Sequence, residues 1–298
     1  MGRRKAWTAQ HASNAPCEDV AVVTQVGQGD LVAVFDGHGG RDCASFAAET
    51  LPACFKDGYT PPVSAVSGLD ALRARFFASG STSATEAPAR RADASESLAA
   101  AFRECDRRWM SEHSCKPGAK RLTRSGSCAL VCFCDAERAV VANAGDCRAV
   151  LASKRQPSAH VAAGDAVDYK VTALSLDHTA QNEKERLYVK QRTKDPVPFR
   201  SSIKSVVVNE DLPLRVAGSL MVTRALGDGY LKRADLSSPP FRQYCPYITA
   251  DPEVLVYSIC SEDDFVILAS DGVPYSGNKS LQRRILKLVK STVILPIF

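Results

Sequence analysis

Three short stretches carry residue types suited to metal and acid–base chemistry. In LVAVFDGHGGRD (31–42) an apolar run ends at Asp36 and passes into Gly37-His38-Gly39-Gly40. Side chains at the end of a buried strand project into the crevice where ligands collect. A carboxylate there suits a hard divalent cation such as Mg²⁺ or Mn²⁺. The glycines let the backbone approach closely, so the Gly37 carbonyl can face a metal or its water. His38 titrates near neutrality and can deliver a proton. In VILASDGV (266–273) the design recurs, with an apolar run entering Asp271-Gly272. Glu18-Asp19 stands directly before a third apolar run, 20–23. Taken singly, each stretch reads equally well as a turn or a cap. Together they supply what a two-metal centre requires, because oxygen ligands must share several units of charge between two cations.

Such carboxylates need strands to hold them. Short runs rich in Val, Ile, Phe and Cys at 20–23, 31–35, 128–133, 139–142, 149–152, 254–259 and 265–269 predict strands. Helical patterns lie at 41–55, at 95–113 and at 181–190. In the second of these, Leu98, Phe102, Cys105 and Trp109 stand at helical spacing behind Ser95 as a cap. AERAVVANAGDCRAVLAS (136–153) predicts a hairpin, with Asn143-Ala144-Gly145-Asp146 as its turn. Stretches 79–97, 153–169 and 193–214 lack periodicity and read as loop insertions.

Bulk composition excludes several classes. The chain has 298 residues, enough for a substantial core, with 45% hydrophobic and 24% charged residues. A net charge of +5 and 7% aromatics give no nucleic-acid signature. Eleven cysteines without a CxxC pair argue for reduced, mostly buried thiols and a cytoplasmic or nuclear setting. No apolar run reaches transmembrane length.

The order of motifs resembles the PP2C (PPM) family of metal-dependent protein serine/threonine phosphatases. The matching pieces are Glu18-Asp19, VFDGHGG (34–40), SGSCALV (125–131), VANAGDCRAVL (141–151), LSLDHTAQNEKERL (174–187), RVAGSLMVTRALGD (215–228), ITADPEV (248–254) and FVILASDGV (265–273). The resemblance implies an α+β fold, an α-β-β-α sandwich of two antiparallel sheets with helices outside and a metal site at one edge. It implies two Mg²⁺ or Mn²⁺ ions whose bridging water attacks the phosphorus of phosphoserine or phosphothreonine, and phosphoprotein partners met by a monomer. Asp36 would bridge the metals and Gly37 would add its carbonyl. Glu18, with Asp19 beside it, would bind one ion and Asp271 the other, while His38 would protonate the leaving group. Asp146 with Arg148, and Arg224 with Asp228, read as buried pairs or as supports of the site, and Asp177-His178 as a turn.

The resemblance covers residues 18–273, which predicts a phosphatase domain there, an N-terminal segment at 1–17 and a divergent tail at 274–298. Four departures stand out. Asn14 replaces the family's phosphate-binding Arg. Thr123-Arg124 replaces an Asp linked to a weaker metal. Val273-Pro274-Tyr275 replaces the Trp-Asp continuation. No acid follows Asp271, so the final metal ligand and the strands after it are expected to be missing, which would leave sheet edges open. SLQRRILKLVK (280–290) has the pattern of a basic amphipathic helix. A second reading is therefore a phosphatase-like binding protein without efficient turnover. A haloacid-dehalogenase-like enzyme fits poorly, because its Asp-x-Asp nucleophile is absent from Asp36-Gly37-His38.

Overall fold

The computed structural model describes residues 6–10, 17–59, 93–114, 116, 119–155, 169–202, 213–270 and 291–297. Asn14, Asp271, the 280–290 tail segment and most of the three expected insertions lie outside them.

Two antiparallel sheets form the centre. One runs β11 (Glu253–Ser258), β5 (Arg138–Ala144), β4 (Gly126–Cys134), β3 (Gly29–His38), β2 (Val20–Val26), with β10 (Leu226–Gly227) pairing the start of β4. The other runs β1 (Trp7–Gln10), β13 (Ser291–Pro296), β12 (Asp263–Ala269), β6 (Arg148–Lys154), β7 (Tyr169–Ala173). A short ribbon pairs β8 (Phe199–Arg200) with β9 (Arg215–Val216). Helices α1 (Asp42–Gly58) and α2 (Ala94–Trp109) pack on the first sheet, and α3 (Glu183–Arg192) and the single turn α4 (Gly229–Lys232) follow in the chain.

Side-chain alternation along β3 explains the layering. Val32 and Val34 point into the core between the sheets, with Leu130, Leu151, Val266 and Leu268. Leu31, Ala33 and Phe35 point the other way, onto Leu51, Phe55, Leu98 and Phe102 of the helices. Successive strand residues face opposite sides, so a strand buried on both faces reads as a continuous apolar run. Cys132 and Cys134 lie in the inter-sheet core as thiols outside any disulfide, and Cys43, Cys54, Cys105, Cys128 and Cys147 are likewise buried and not in disulfides.

Four local expectations differ from the structure. The 136–153 segment is not a hairpin: β5 pairs with β4 and β11, whereas β6 pairs with β12 and β7 in the other sheet. Its turn residues instead carry the chain between sheets, with Gly145 at φ 131° against Cys128. The N-cap of α2 is Asp93, and Ser95 donates its hydroxyl to that carboxylate. Strand β3 does not stop at Asp36 but runs through His38. The open edge expected beside β12 is filled by β13, whose Ile294 faces Ile267 on one side and Trp7 of β1 on the other.

Candidate active site

The β2–β3–β4 register sets the site. Val20 pairs with Phe35, so Glu18 and Asp19 arrive beside the last residues of β3. Gly37 lies so close to Glu18 that an added Cβ would stand 2.6 Å from the Glu18 carbonyl oxygen. Only glycine allows this approach. Glu18 Oε1 accepts the Gly40 amide at 3.1 Å, which ties the acidic pair to the glycine turn after His38. Buried Asp19 accepts from the Ser270 hydroxyl at 3.1 Å. Ser270 follows β12 and precedes Asp271, so the end of β12 reaches the same place. Asp271 itself lies outside the described residues.

On the other side of β3, Asp36 is opposite Cys128, Gly37 opposite Ser127 and His38 opposite Gly126. The His38 ring crosses over Gly126 and its Nε2 lies 2.6 Å from Asp228 Oδ2. An added Cβ on Gly126 would collide with both of these atoms. Asp228 is buried, adopts a left-handed backbone (φ 53°) and donates its amide to the Ser125 carbonyl at 3.0 Å. Its Oδ1 is buried and has no hydrogen-bond partner. Burial pulls the His38 pKa down, but the Asp228 carboxylate, with Asp36 and Asp146 further off, outweighs it and holds the imidazole above its ordinary value. Asp146 accepts from the Cys128 thiol at 3.2 Å, and burial keeps that thiol protonated.

The structure therefore brings together Glu18, Asp19, Asp36, Gly37 and His38. It also adds Asp228 and Asp146 to the same end of the sandwich. The two arginine–aspartate pairs read from the sequence do not form: Arg148 makes a two-pronged ion pair with Asp177 at 2.6 and 2.9 Å, and Arg224 binds Glu185 at 2.7 Å. The sequence signal for Asp228 was its place at the end of TRALGD before a glycine, which marks a turn but names no partner. Asp177-His178, expected as a turn, lies in an irregular segment just before the turn at 180–181, with the buried His178 Nδ1 accepting the Gly145 amide at 3.4 Å.

As donors, the carboxylates of Glu18, Asp19, Asp36 and Asp146 and the Gly37 carbonyl suit a hard divalent cation. Among the described residues no group of three His, Cys, Asp or Glu side chains is placed to hold one ion. The donor chemistry of these residues fits a hard divalent cation.

The protein phosphatase 2C family model matches residues 3–274. The chain belongs to that family. Similar sequences include "Probable protein phosphatase 2C 29" of Oryza sativa subsp. japonica, 30% identical over 88% of this chain and 60% of that protein. "Probable protein phosphatase 2C 67" of Arabidopsis thaliana is 27% identical over 83% of this chain and 57% of that protein. The chain thus spans about three fifths of the length of these two relatives. Among solved structures, the serine-threonine phosphatase 2C from Toxoplasma gondii shares the fold (TM-score 0.60, 13% identity, 98% of this chain and 95% of that one). A C. elegans sex determining protein shares it too (TM-score 0.63, 20% identity, 100% of this chain and 66% of that one). These likenesses bear out the α+β, two-sheet architecture of the family. No helix among the described residues is long and apolar enough to cross a membrane.

Proposed function

We propose that this chain is a metal-dependent protein serine/threonine phosphatase that hydrolyses phosphoserine and phosphothreonine. The His38–Asp228 pair, standing beside Glu18 and Asp36, carries this reading. Asp36, the Gly37 carbonyl, Glu18 with Asp19 beside it, and Asp271 would hold two Mg²⁺ or Mn²⁺ ions. When bound, the ions supply a water that is nucleophilic at neutral pH and offset charge developing on the phosphoryl oxygens.

The remaining chemistry belongs to the side chains. Asp228 engages His38 Nε2, which fixes the ring and leaves Nδ1 to carry a proton to the leaving alkoxide oxygen. The Asp228 carboxylate raises the ring's pKa above its ordinary value, which favours the protonated form that can donate. Gly126, lacking a Cβ, leaves room for the His38 Nε2–Asp228 Oδ2 contact beside β4. The reading implies phosphoprotein partners, a monomer, and a cytoplasmic or nuclear setting in which the buried thiols stay reduced.

A second reading is a phosphatase-like protein that binds a phosphoprotein without efficient turnover. The lack of a three-ligand group among the described residues favours it. One assay decides between them. Purified chain is incubated with a phosphothreonine peptide and Mn²⁺, beside an Asp36→Asn variant. Phosphate release that needs the metal and disappears in the variant supports the enzyme. Equal background rates in both proteins sink it.

A further inference from the structure

A basic cleft lies beside the His38–Asp228 pair. A cleft of about 550 Å³ opens between the segment that leads into β4 and the turn that follows Asp228. Lys116, Lys120, Thr123 and Arg124 line one wall, and Tyr230 and Asp235 line the other. The three cations are solvent-exposed, and no carboxylate among the described residues lies within ion-pair distance of any of them. Asp235 is the one acid on the lining, and Arg233 already holds it in a two-pronged contact at 2.6 and 3.0 Å. The cleft therefore has a surplus of positive charge with no internal partner. Its Arg is preset: the Arg124 guanidinium sits 4.7 Å over the centre of the Tyr230 ring, and the Tyr230 hydroxyl is itself fixed 2.7 Å from Ser219 Oγ. A guanidinium held on an aromatic face keeps its N–H edges free for a tetrahedral oxyanion.

The place of the cleft gives it a meaning. Arg124 lies two residues before Gly126, and Tyr230 two residues after Asp228. The Arg124 carbonyl also abuts Gly39, the residue after His38. Yet none of Glu18, Asp36 and His38 lines the cleft. It borders the reacting centre without containing it. A peptide whose phosphorylated residue lies at His38 would pass a neighbouring side chain over this cleft.

We propose that the Lys116–Lys120–Arg124 cleft binds a second phosphorylated side chain of the same substrate, so that the protein favours multiply phosphorylated segments. This rests on the phosphatase reading. The two lysines act as point charges and Arg124 as a two-pronged donor to the phosphate oxygens. Because both phosphates sit on one chain, the second contact is made at high effective concentration.

The test uses the whole chain, stripped of metal so that no turnover occurs. Two fluorescent peptides of one sequence are compared by anisotropy, one carrying a single phosphothreonine and the other a second phosphoserine at a series of spacings. The expected result is binding of the doubly phosphorylated peptide about tenfold tighter at its best spacing, with the advantage shrinking in high salt. In a Lys116→Gln/Lys120→Gln double variant and in Arg124→Gln, each checked for wild-type melting, the advantage falls below about twofold. Equal affinities in the wild-type chain at every spacing, or an advantage that survives in both variants, overturn the proposal. Inorganic phosphate is also titrated at constant ionic strength. Loss of the advantage at a phosphate concentration equal to the peptide's would assign the cleft to free phosphate and overturn the proposal; persistence of the advantage supports it. Hydrolysis of the singly phosphorylated peptide with Mn²⁺ is read separately. Its failure removes the phosphatase reading while the binding comparison still decides the cleft.

Discussion

His38 Nε2 and Asp228 Oδ2 lie 2.6 Å apart across a separation of 190 residues, and the second oxygen of that buried carboxylate has no hydrogen-bond partner among the described residues. A carboxylate buried with one oxygen unsatisfied is costly, so the energy of the arrangement rests on the contact with His38. The pairing positions the ring and raises its hold on a proton.

If His38 protonates the leaving oxygen, the loss on mutation depends on how much help that oxygen needs. General acid catalysis contributes about 10²–10⁴-fold. His38→Gln is expected to lower kcat on a phosphothreonine peptide by roughly 10²-fold or more. With an aryl phosphate, whose leaving group is already acidic, the loss should be much smaller. Asp228→Asn should show the same split at lower amplitude, since the ring remains but its orientation weakens. Parallel kinetics on the two substrates read this out, and equal losses on both would remove His38 as the acid.

Gly126 predicts a steric effect. A Cβ there meets His38 Nε2 and Asp228 Oδ2, and Gly126 is fixed in β4 by pairing on both sides with β3 and β10. Gly126→Ala should cost about 1–3 kcal/mol of stability. It should also turn the imidazole away from Asp228. Thermal melting measures the first effect. The second appears as the same substrate-dependent split described for Asp228→Asn, a larger loss on the phosphopeptide than on the aryl phosphate. A variant with wild-type melting and kinetics would contradict the geometry.

The Glu185–Arg224 pair predicts a pH dependence. Glu185 is buried and accepts from Arg224 at 2.7 and 3.1 Å and from the Thr223 hydroxyl. Burial alone would raise its pKa, but these partners more than reverse that and hold it below the ordinary value of 4.5. A group with a depressed folded pKa stabilises the fold above its unfolded pKa. That contribution fades as pH falls through the folded value. Glu185→Gln should destabilise by about 3–5 kcal/mol at neutral pH, because it strands Arg224 beside a neutral amide. The difference from wild type should narrow as urea melts are taken from pH 7 to below 4.5. A constant difference over that range would show that the charge of Glu185 is not the cause.

Strand β13 predicts a stability effect far from the chemistry. Val293 and Leu295 are fully buried in the inter-sheet core. Leu295→Ala should cost about 2–5 kcal/mol. A conservative Val293→Ile exchange serves as a control for overpacking. Denaturant midpoints provide the measure, and a Leu295→Ala cost under about 0.5 kcal/mol would mean that the strand adds little to the core.

Much of this molecule was legible in the sequence because local pattern and motif order agreed. The apolar runs at 31–35, 128–133 and 265–269 all lie in strands, and Leu98, Phe102, Cys105 and Trp109 do line one helix face. What local pattern could not carry was partnership. Asn143-Ala144-Gly145-Asp146 is correct turn chemistry, yet strands buried on both faces can pair with distant neighbours, and both did. Asp146 and Asp228 each stood near an arginine in sequence, but the arginines found Asp177 and Glu185 instead. Strand β3 ran on through Asp36 and His38 because a ladder needs only backbone groups, which polarity patterns do not report. Ser291–Pro296 follows directly on a basic amphipathic stretch whose helical pattern obscures it, although Val293, Ile294 and Leu295 form a short β-branched and aliphatic run.

The placement of β13 between β1 and β12 also bears on synthesis. Trp7 is synthesised long before its pairing partner Ile294, which lies 287 residues (294 − 7) further along the chain. The β11-to-β2 sheet can assemble once residue 258 has emerged, whereas the other sheet waits for residue 296. Pairings so distant in sequence close slowly, and domains made as nascent chains expose unpaired strands until they do. During that interval Val266, Ile267 and Leu268 present a bare aliphatic edge, which makes the nascent chain a client for chaperones that hold extended apolar segments.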